Sequence, residues 1–155
     1  FFLDAYAFST EGVVGFAVGS KNMKSFLTVV KNSIQISFYT ALIISLLYLI
    51  FSKQIINIIT DIEIVRFISY KYILWIVIIP PVASFCYQFD GIFIGATQTK
   101  EIRNAMMISV VSFIITSIYL TEYFGNHGLW LSLLLFMIFR SLTLNYFFSK
   151  ILKKF

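Results

Sequence analysis

The sequence predicts an all-α membrane protein, a bundle of about five transmembrane helices. Hydrophobic residues make up 59% of the chain and charged residues only 12%, whereas soluble domains carry about 25% charged residues. The apolar residues also form runs long enough to cross a bilayer: 21 uncharged residues lie between Lys31 and Lys53. At ~1.5 Å per residue such a run covers the ~30 Å hydrocarbon core. These runs far exceed the length of a strand.

The predicted elements follow these runs in chain order. They are a partial span 1–19, full spans 25–51, 66–98, 102–123 and 127–149, and an interfacial segment 53–65. The interfacial segment is predicted because isoleucines recur at helical spacing beside Lys53 and Asp61. The Pro80-Pro81 pair predicts a kink inside the third span. Because the chain begins with Phe1 in a helical pattern, we expect it to be part of a longer protein.

The distribution of basic residues predicts the orientation in the membrane. Eight bases fall at one end of the predicted bundle: Lys21, Lys24, Lys31, Lys100, Arg103, Lys150, Lys153 and Lys154. Only Lys53, Arg66 and Lys71 fall at the other end. The positive-inside rule therefore places the C-terminus in the cytoplasm. The aromatic residues Trp75, Tyr119, Tyr123 and Trp130 are then expected near the outer interface. The tail lysines are expected to contact anionic lipid.

Three ionisable residues lie inside these apolar segments. Asp90 ends an 18-residue uncharged run, Arg140 interrupts the run from Gly128 to Ser149, and Glu11 lies in the partial span. Counted back from the cytoplasmic helix ends, all three fall ~12–15 Å into the membrane. A charge at that depth costs at least ~2.5–3.5 kcal/mol, so such residues pair or face a watery cavity. We expect a proton or cation site here, with a static ion pair as the alternative.

Other classes of function have little support in the sequence. One Cys, Cys86, and one His, His127, leave almost no material for nucleophilic or metal chemistry, and we expect neither an enzyme nor a bound cofactor. The bases are spread between apolar runs rather than gathered in a patch, so a nucleic-acid partner is not expected. Glycines 12, 15 and 19 are spaced for close helix packing.

Three stretches of the chain carry a family resemblance. They are AYAFSTEGVVGFAVG from Ala5, DGIFIGAT from Asp90 with EIRNAM from Glu101, and GNHGLW from Gly125. Together they resemble the multidrug and toxic compound extrusion (MATE) family, in particular its DinF-like branch. The resemblance implies a fold of twelve helices in two lobes around a central cavity. The chain is similar to most of the C-terminal lobe, so the N-terminal lobe is an expected partner.

The resemblance also implies a function and roles for single residues. It implies a secondary antiporter in the bacterial plasma membrane that exports cationic or amphipathic organic compounds in exchange for H⁺ or Na⁺. In cation-coupled relatives an aspartate before a glycine contributes to the ion site, and Asp90 with Gly91 stands in that position. Tyr87 and Phe93 flank Asp90 by one helical turn and are candidate residues of an aromatic cavity. Proton-coupled relatives use an aspartate on their first helix, which is absent from this sequence, so the coupling ion stays open.

Two other functions remain as alternatives. A flippase for lipid-linked oligosaccharides should show a strongly cationic cavity, and Arg140 is the one base deep within a predicted span, away from its ends. A non-transporting membrane scaffold would use the buried charges only to lock its assembly.

Overall fold

The structure, a computed structural model, describes residues 1–155 and consists of six α-helices without a strand. In chain order they are α1 (Phe2–Gly19), α2 (Met23–Ile59), α3 (Glu63–Lys71), α4 (Ile73–Gly95), α5 (Thr99–Phe124) and α6 (Asn126–Leu152). Four of them, α2, α4, α5 and α6, are long and apolar enough to cross a membrane. The predicted class, an all-α membrane protein, is confirmed. Helix α1 carries Asp4 and Glu11 within its 18 residues and is not among the four.

The surface of the bundle suits lipid rather than water. Only 25 of the 155 residues are buried, and large apolar side chains cover the outside of the long helices. Ile43 and Leu46 on α2 and Ile115 and Ile118 on α5 are each more than half exposed. Soluble monomers rarely expose contiguous apolar patches of this extent, whereas acyl chains solvate them without cost.

Helix α4 lies at the centre of the bundle. It packs against α1, α2 and α6, and only lightly against α5, which pairs with α6 instead. The buried core gathers at the C-terminal end of α4, around Phe26, Ile92, Phe93 and Leu144. This packing brings one face each of α1, α4 and α6 to a common region beside the core.

Two glycines of α4 allow α1 to approach closely. A methyl group at Gly91 would collide with the backbone of Ala7, and one at Gly95 would collide with the backbone of Glu11. Of the three glycines of α1, Gly15 lies near the backbone of Gly95, while Gly12 and Gly19 face open space. The close approach therefore depends mainly on the glycines of α4, and it brings Glu11 alongside the end of that helix.

The predicted boundaries are wrong between residues 53 and 72. The residues predicted as an interfacial segment continue α2 as far as Ile59, and the chain then turns extended at Thr60 and Ile62. The Arg66 side chain fixes this break by donating to the carbonyl oxygens of Thr60, at 2.7 Å, and Asn57, at 3.0 Å. These carbonyls lack helical partners at the end of α2, so the guanidinium caps the helix. The predicted span 66–98 is also divided, because α3 ends at Lys71.

The lysine-rich end of the bundle is held by the tail of α6. Lys150 forms an ion pair with Glu101 of α5 at 3.0 Å. Lys154 donates to the carbonyl oxygen of Ala96 and to the hydroxyl of Thr97 in the turn between α4 and α5. Two of the three tail lysines therefore bind the protein itself, and the expected contact with anionic lipid stays a prediction.

Candidate cation cavity

A cavity of about 190 Å³ lies between α1, α4 and α6. Its lining is Asp4, Ala7, Phe8, Glu11, Tyr87, Asp90, Gly91, Ile94, Ile102 and Arg140. The α1 residues of this lining recur every three or four positions, so they share one face of that helix. Four of the ten residues carry a carboxylate or a guanidinium group, which is an unusually high number between helices that are otherwise apolar.

The ion pair between Asp90 and Arg140 forms one wall of the cavity. The Nη2 atom of Arg140 lies 2.9 Å from both Oδ1 and Oδ2 of Asp90, so one nitrogen contacts both oxygens of the carboxylate. Both side chains are mostly buried, at 16% and 17% exposure. The pair ties α4, near its C-terminal end, to α6. Breaking such a pair leaves an uncompensated charge away from water, which is strongly destabilising.

Helix α1 adds two carboxylates that have no cationic partner. The ion pairs of the chain join Arg66 to Asp61, Arg140 to Asp90 and Lys150 to Glu101. Asp4 and Glu11 take part in none of them, although both line the cavity. They are seven residues apart, so two helical turns separate them by ~10 Å along the helix axis. With all groups ionised, three carboxylates face one guanidinium, and the cavity has a formal charge of −2.

Arg140 also reaches a second, larger space. A groove of about 690 Å³ between α4 and α5 is lined by Arg140, Arg103 and apolar side chains that include Met106 and Val110. The Nε atom of Arg140 is buried and has no hydrogen-bond acceptor. The guanidinium thus separates an acidic cavity on one side from an apolar groove on the other.

The structure gathers most of the residues that the sequence singled out. Asp90, Glu11, Arg140 and Tyr87 all line the cavity, and Asp90 contacts Arg140 directly. The expectation for Phe93 is wrong, because its side chain is fully buried in the hydrophobic core and does not line the cavity. The functional roles of these residues remain predictions.

Asp4 is the cavity residue that the sequence analysis missed. The sequence could have predicted it, because Asp4 is seven residues before Glu11 and the two therefore lie on the same face of a helix. Asp4 lies seven residues further from the cytoplasmic end than Glu11, outside the layer that the sequence analysis assigned to the three ionisable residues. In the structure, Asp4 and Glu11 both line the cavity beside α4, which identifies Asp4 as a further candidate residue.

These features define a polytopic helical membrane protein with an ionisable cavity between its helices. The MatE family model matches residues 1–121 of the chain. The chain is also 36% identical over 142 residues to the DNA damage-inducible protein F of Escherichia coli strain K12, an alignment that covers 92% of the chain. The chain belongs to the MatE family, as the sequence resemblance predicted. It spans 31% of the length of that relative. No solved structure matches the chain.

Proposed function

We propose that the chain forms most of the C-terminal lobe of a secondary antiporter, which exports cationic or amphipathic organic compounds in exchange for H⁺ or Na⁺. The observation that carries this proposal is the excess of carboxylates over guanidinium in the cavity between α1, α4 and α6. Membership of the MatE family supports the same class of function. An acidic cavity among lipid-facing helices needs positive charge, which a proton, a metal cation or a cationic solute supplies.

The proposed coupling uses the two kinds of carboxylate differently. Asp90 is already neutralised by Arg140 at 2.9 Å, whereas Asp4 and Glu11 are not. A cation that enters the cavity competes with Arg140 for Asp90 and gains the attraction of the two α1 carboxylates. Its arrival loosens the tie between α4 and α6 and strengthens the contact between α1 and α4. That change in helix contacts is the step by which ion binding would favour one conformation of the lobe.

The complete transporter needs more than this chain. We propose that the N-terminal lobe of the same transporter packs beside it and completes a central cavity for small organic cations. The assembly would lie in the bacterial inner membrane with the C-terminus in the cytoplasm, as the basic residues indicate. The proposed activity is transport rather than an enzymatic reaction, and the exchanged ion is its only inorganic requirement.

The ion pair itself gives weight to one alternative, a structural scaffold. Asp90 and Arg140 join α4 to α6, and a buried pair can serve only to fix helix register. The flippase alternative is less well supported, because carboxylates outnumber guanidinium in the cavity and would repel a pyrophosphate-linked lipid.

The test is export of a cationic dye by the full-length protein in cells that lack other efflux pumps. We expect Glu11→Gln and Asp90→Asn each to reduce export at least ~10-fold, which corresponds to ~1.4 kcal/mol of lost coupling energy. The matched control is Asp61→Asn, since Asp61 is a fully exposed carboxylate in a different ion pair, in the segment between α2 and α3. Normal export by both cavity variants, over a range of pH and sodium concentration, would overturn the proposal.

A further inference from the structure

His127 accepts a hydrogen bond from Trp75 at the end of the bundle opposite the lysine-rich end. The indole Nε1 atom of Trp75 donates to Nδ1 of His127 at 3.0 Å. The Tyr72 ring packs against the imidazole, with 4.8 Å between the ring centroids, and against the Trp130 ring at 6.4 Å. We call this end, where the four side chains lie, the aromatic end. The hydrogen bond joins the first turn of α4 to the first turn of α6.

The backbone on either side of His127 fixes the position of the imidazole. Gly125 caps both the end of α5 and the start of α6, and its positive φ of 55° is a conformation that favours glycine. Gly128 packs so closely against α5 that a methyl group there would collide with the backbone of Leu120. His127 therefore lies in a turn whose shape is set by its neighbours, within reach of Trp75.

The hydrogen bond requires a neutral imidazole. An indole N–H can only donate, so Nδ1 of His127 carries no proton when it accepts. Protonation turns Nδ1 into a donor, and two donors would then face each other. Histidine is the side chain whose charge ordinarily changes between ~pH 5 and ~pH 8. The contact with Trp75 therefore exists above the titration of His127 and is lost as the pH falls through it.

His127 is open to protons and has no charged partner. It is exposed, and it takes part in none of the ion pairs of the chain. The other titratable groups of the elements that meet at this end are Lys53, Asp61, Glu63, Arg66, Tyr70, Lys71, Tyr72, Tyr119, Glu122 and Tyr123. Lys71 lies over the Phe67 ring at 4.7 Å. Glu122 is the carboxylate nearest to His127 along the chain and is therefore the control residue for a titration at this end.

Helices α4 and α6 are thus joined at two levels. The cavity ion pair joins them near the C-terminal end of α4, and the contact of Trp75 with His127 joins them near its start. The two contacts lie ~20 Å apart along the helices. Pro80 and Pro81 lie between them inside α4 and supply no N–H donor, so the helix lacks two of its backbone hydrogen bonds there. The turns of α4 before the prolines can therefore move away from α6 without breaking the cavity ion pair.

We propose that the contact between Trp75 and His127 is a proton-sensitive tie, which holds the start of α4 against α6 and releases it at acid pH. The tie is one neutral hydrogen bond, so its loss shifts the equilibrium between joined and separated helices ~2–10-fold. Its regulatory role rests on the proposed function, in which the aromatic end faces the exterior. An acidic exterior then favours opening of the side from which the solute leaves.

The first test measures the separation of the two helices in the purified full-length protein in lipid nanodiscs, with its other cysteines replaced by serine. Spin labels at Leu74→Cys and Leu129→Cys report the distance between the starts of α4 and α6 by pulsed electron paramagnetic resonance, since both residues are exposed. We expect the separated population to rise ~2–10-fold between ~pH 8 and ~pH 5. Trp75→Phe lacks the donor and should show the larger separated population at both pH values.

His127→Asn is the matched variant, because its amide oxygen accepts a hydrogen bond from Trp75 but does not titrate. We expect its helices to remain joined at both pH values. Glu122→Gln leaves the tie in place and should respond to pH as the wild type does. A wild-type protein without a pH response, or a His127→Asn variant that responds equally, would overturn the proposal.

The second test measures the regulatory role in cells that export a cationic dye through the full-length protein. His127→Asn should export at the wild-type rate at an external pH of ~8 and at least ~2-fold more slowly at ~5, where only the wild-type tie is released. Equal rates at both pH values would contradict the regulatory role. Absence of dye export by the wild type would contradict the proposed function instead, and the helix separation would still decide whether the tie exists.

Discussion

Two ion pairs of similar length hold this bundle together, and their surroundings differ. Arg140 contacts Asp90 at 2.9 Å inside the cavity, and Lys150 contacts Glu101 at 3.0 Å at the lysine-rich end. The first pair is mostly buried on both sides and faces two more carboxylates. In the second pair Lys150 is 48% exposed, so water reaches its amine, whereas Glu101 is only 9% exposed. The difference shows that bond length says little about role, and that unpaired neighbouring charge makes the first pair a candidate for ion coupling.

The largest effect should come from removing the cation of the pair between Asp90 and Arg140. Arg140→Leu leaves three carboxylates together in the cavity, and we expect it to destabilise the protein by ~3–5 kcal/mol, as in other broken buried pairs. Lys150→Leu should cost less than Arg140→Leu, because it leaves one buried carboxylate, that of Glu101, without its partner rather than three together. Thermal unfolding of the purified full-length protein compares the two variants. Equal losses of stability would remove the distinction between the pairs.

A smaller effect should follow from separating α1 from α4. Gly91→Ala places a methyl group against the backbone of Ala7, and such overpacking costs ~1–3 kcal/mol. We expect it to reduce cation binding, because it moves the α1 carboxylates away from Asp90. The control is Gly12→Ala, since Gly12 faces open space. If both variants bind a lipophilic cation as the wild type does, the close approach of α1 is not needed for the site.

The smallest effect should appear at Tyr87, which lines the cavity. Tyr87→Phe keeps an aromatic face for a cation, so we expect its affinity for tetraphenylphosphonium to remain within ~2-fold of the wild type. Tyr87→Leu removes that face and should weaken binding ~2–5-fold, equivalent to ~0.5–1 kcal/mol. Equilibrium binding measures both. Phe93→Leu is the comparison in the core, where we expect lower stability without a change in affinity.

Sequence alone could predict that Asp90 and Arg140 lie close together but not the directions of their neighbours. Counts from the predicted helix ends gave the two residues similar depths, and the structure pairs them at 2.9 Å. Tyr87 and Phe93 are equally distant from Asp90 along α4, yet one lines the cavity and the other lies in the core. Which side of Asp90 faces α1 depends on how the helices pack, and the glycines at 91 and 95 set that contact.

The helix break after Ile59 was unpredictable for a related reason. The isoleucines from 55 to 62 keep a helical period across the break, so the pattern continues where the helix does not. The break depends on Arg66, whose bonds to Asn57 and Thr60 come from a side chain beyond it. Such contacts between segments override local periodicity and become visible only in the folded chain.

The most direct test of a coupling role for the cavity carboxylates is the paired neutral variant Asp90→Asn with Arg140→Gln in the full-length protein. Asn keeps the shape of Asp90, Gln is a shorter uncharged replacement for Arg140, and the double change leaves no uncompensated charge between the two positions, so the bundle should remain folded. We predict thermal stability close to that of the wild type together with loss of proton- or sodium-driven dye export. Export at the wild-type rate by this folded variant would contradict the account and favour a purely structural ion pair.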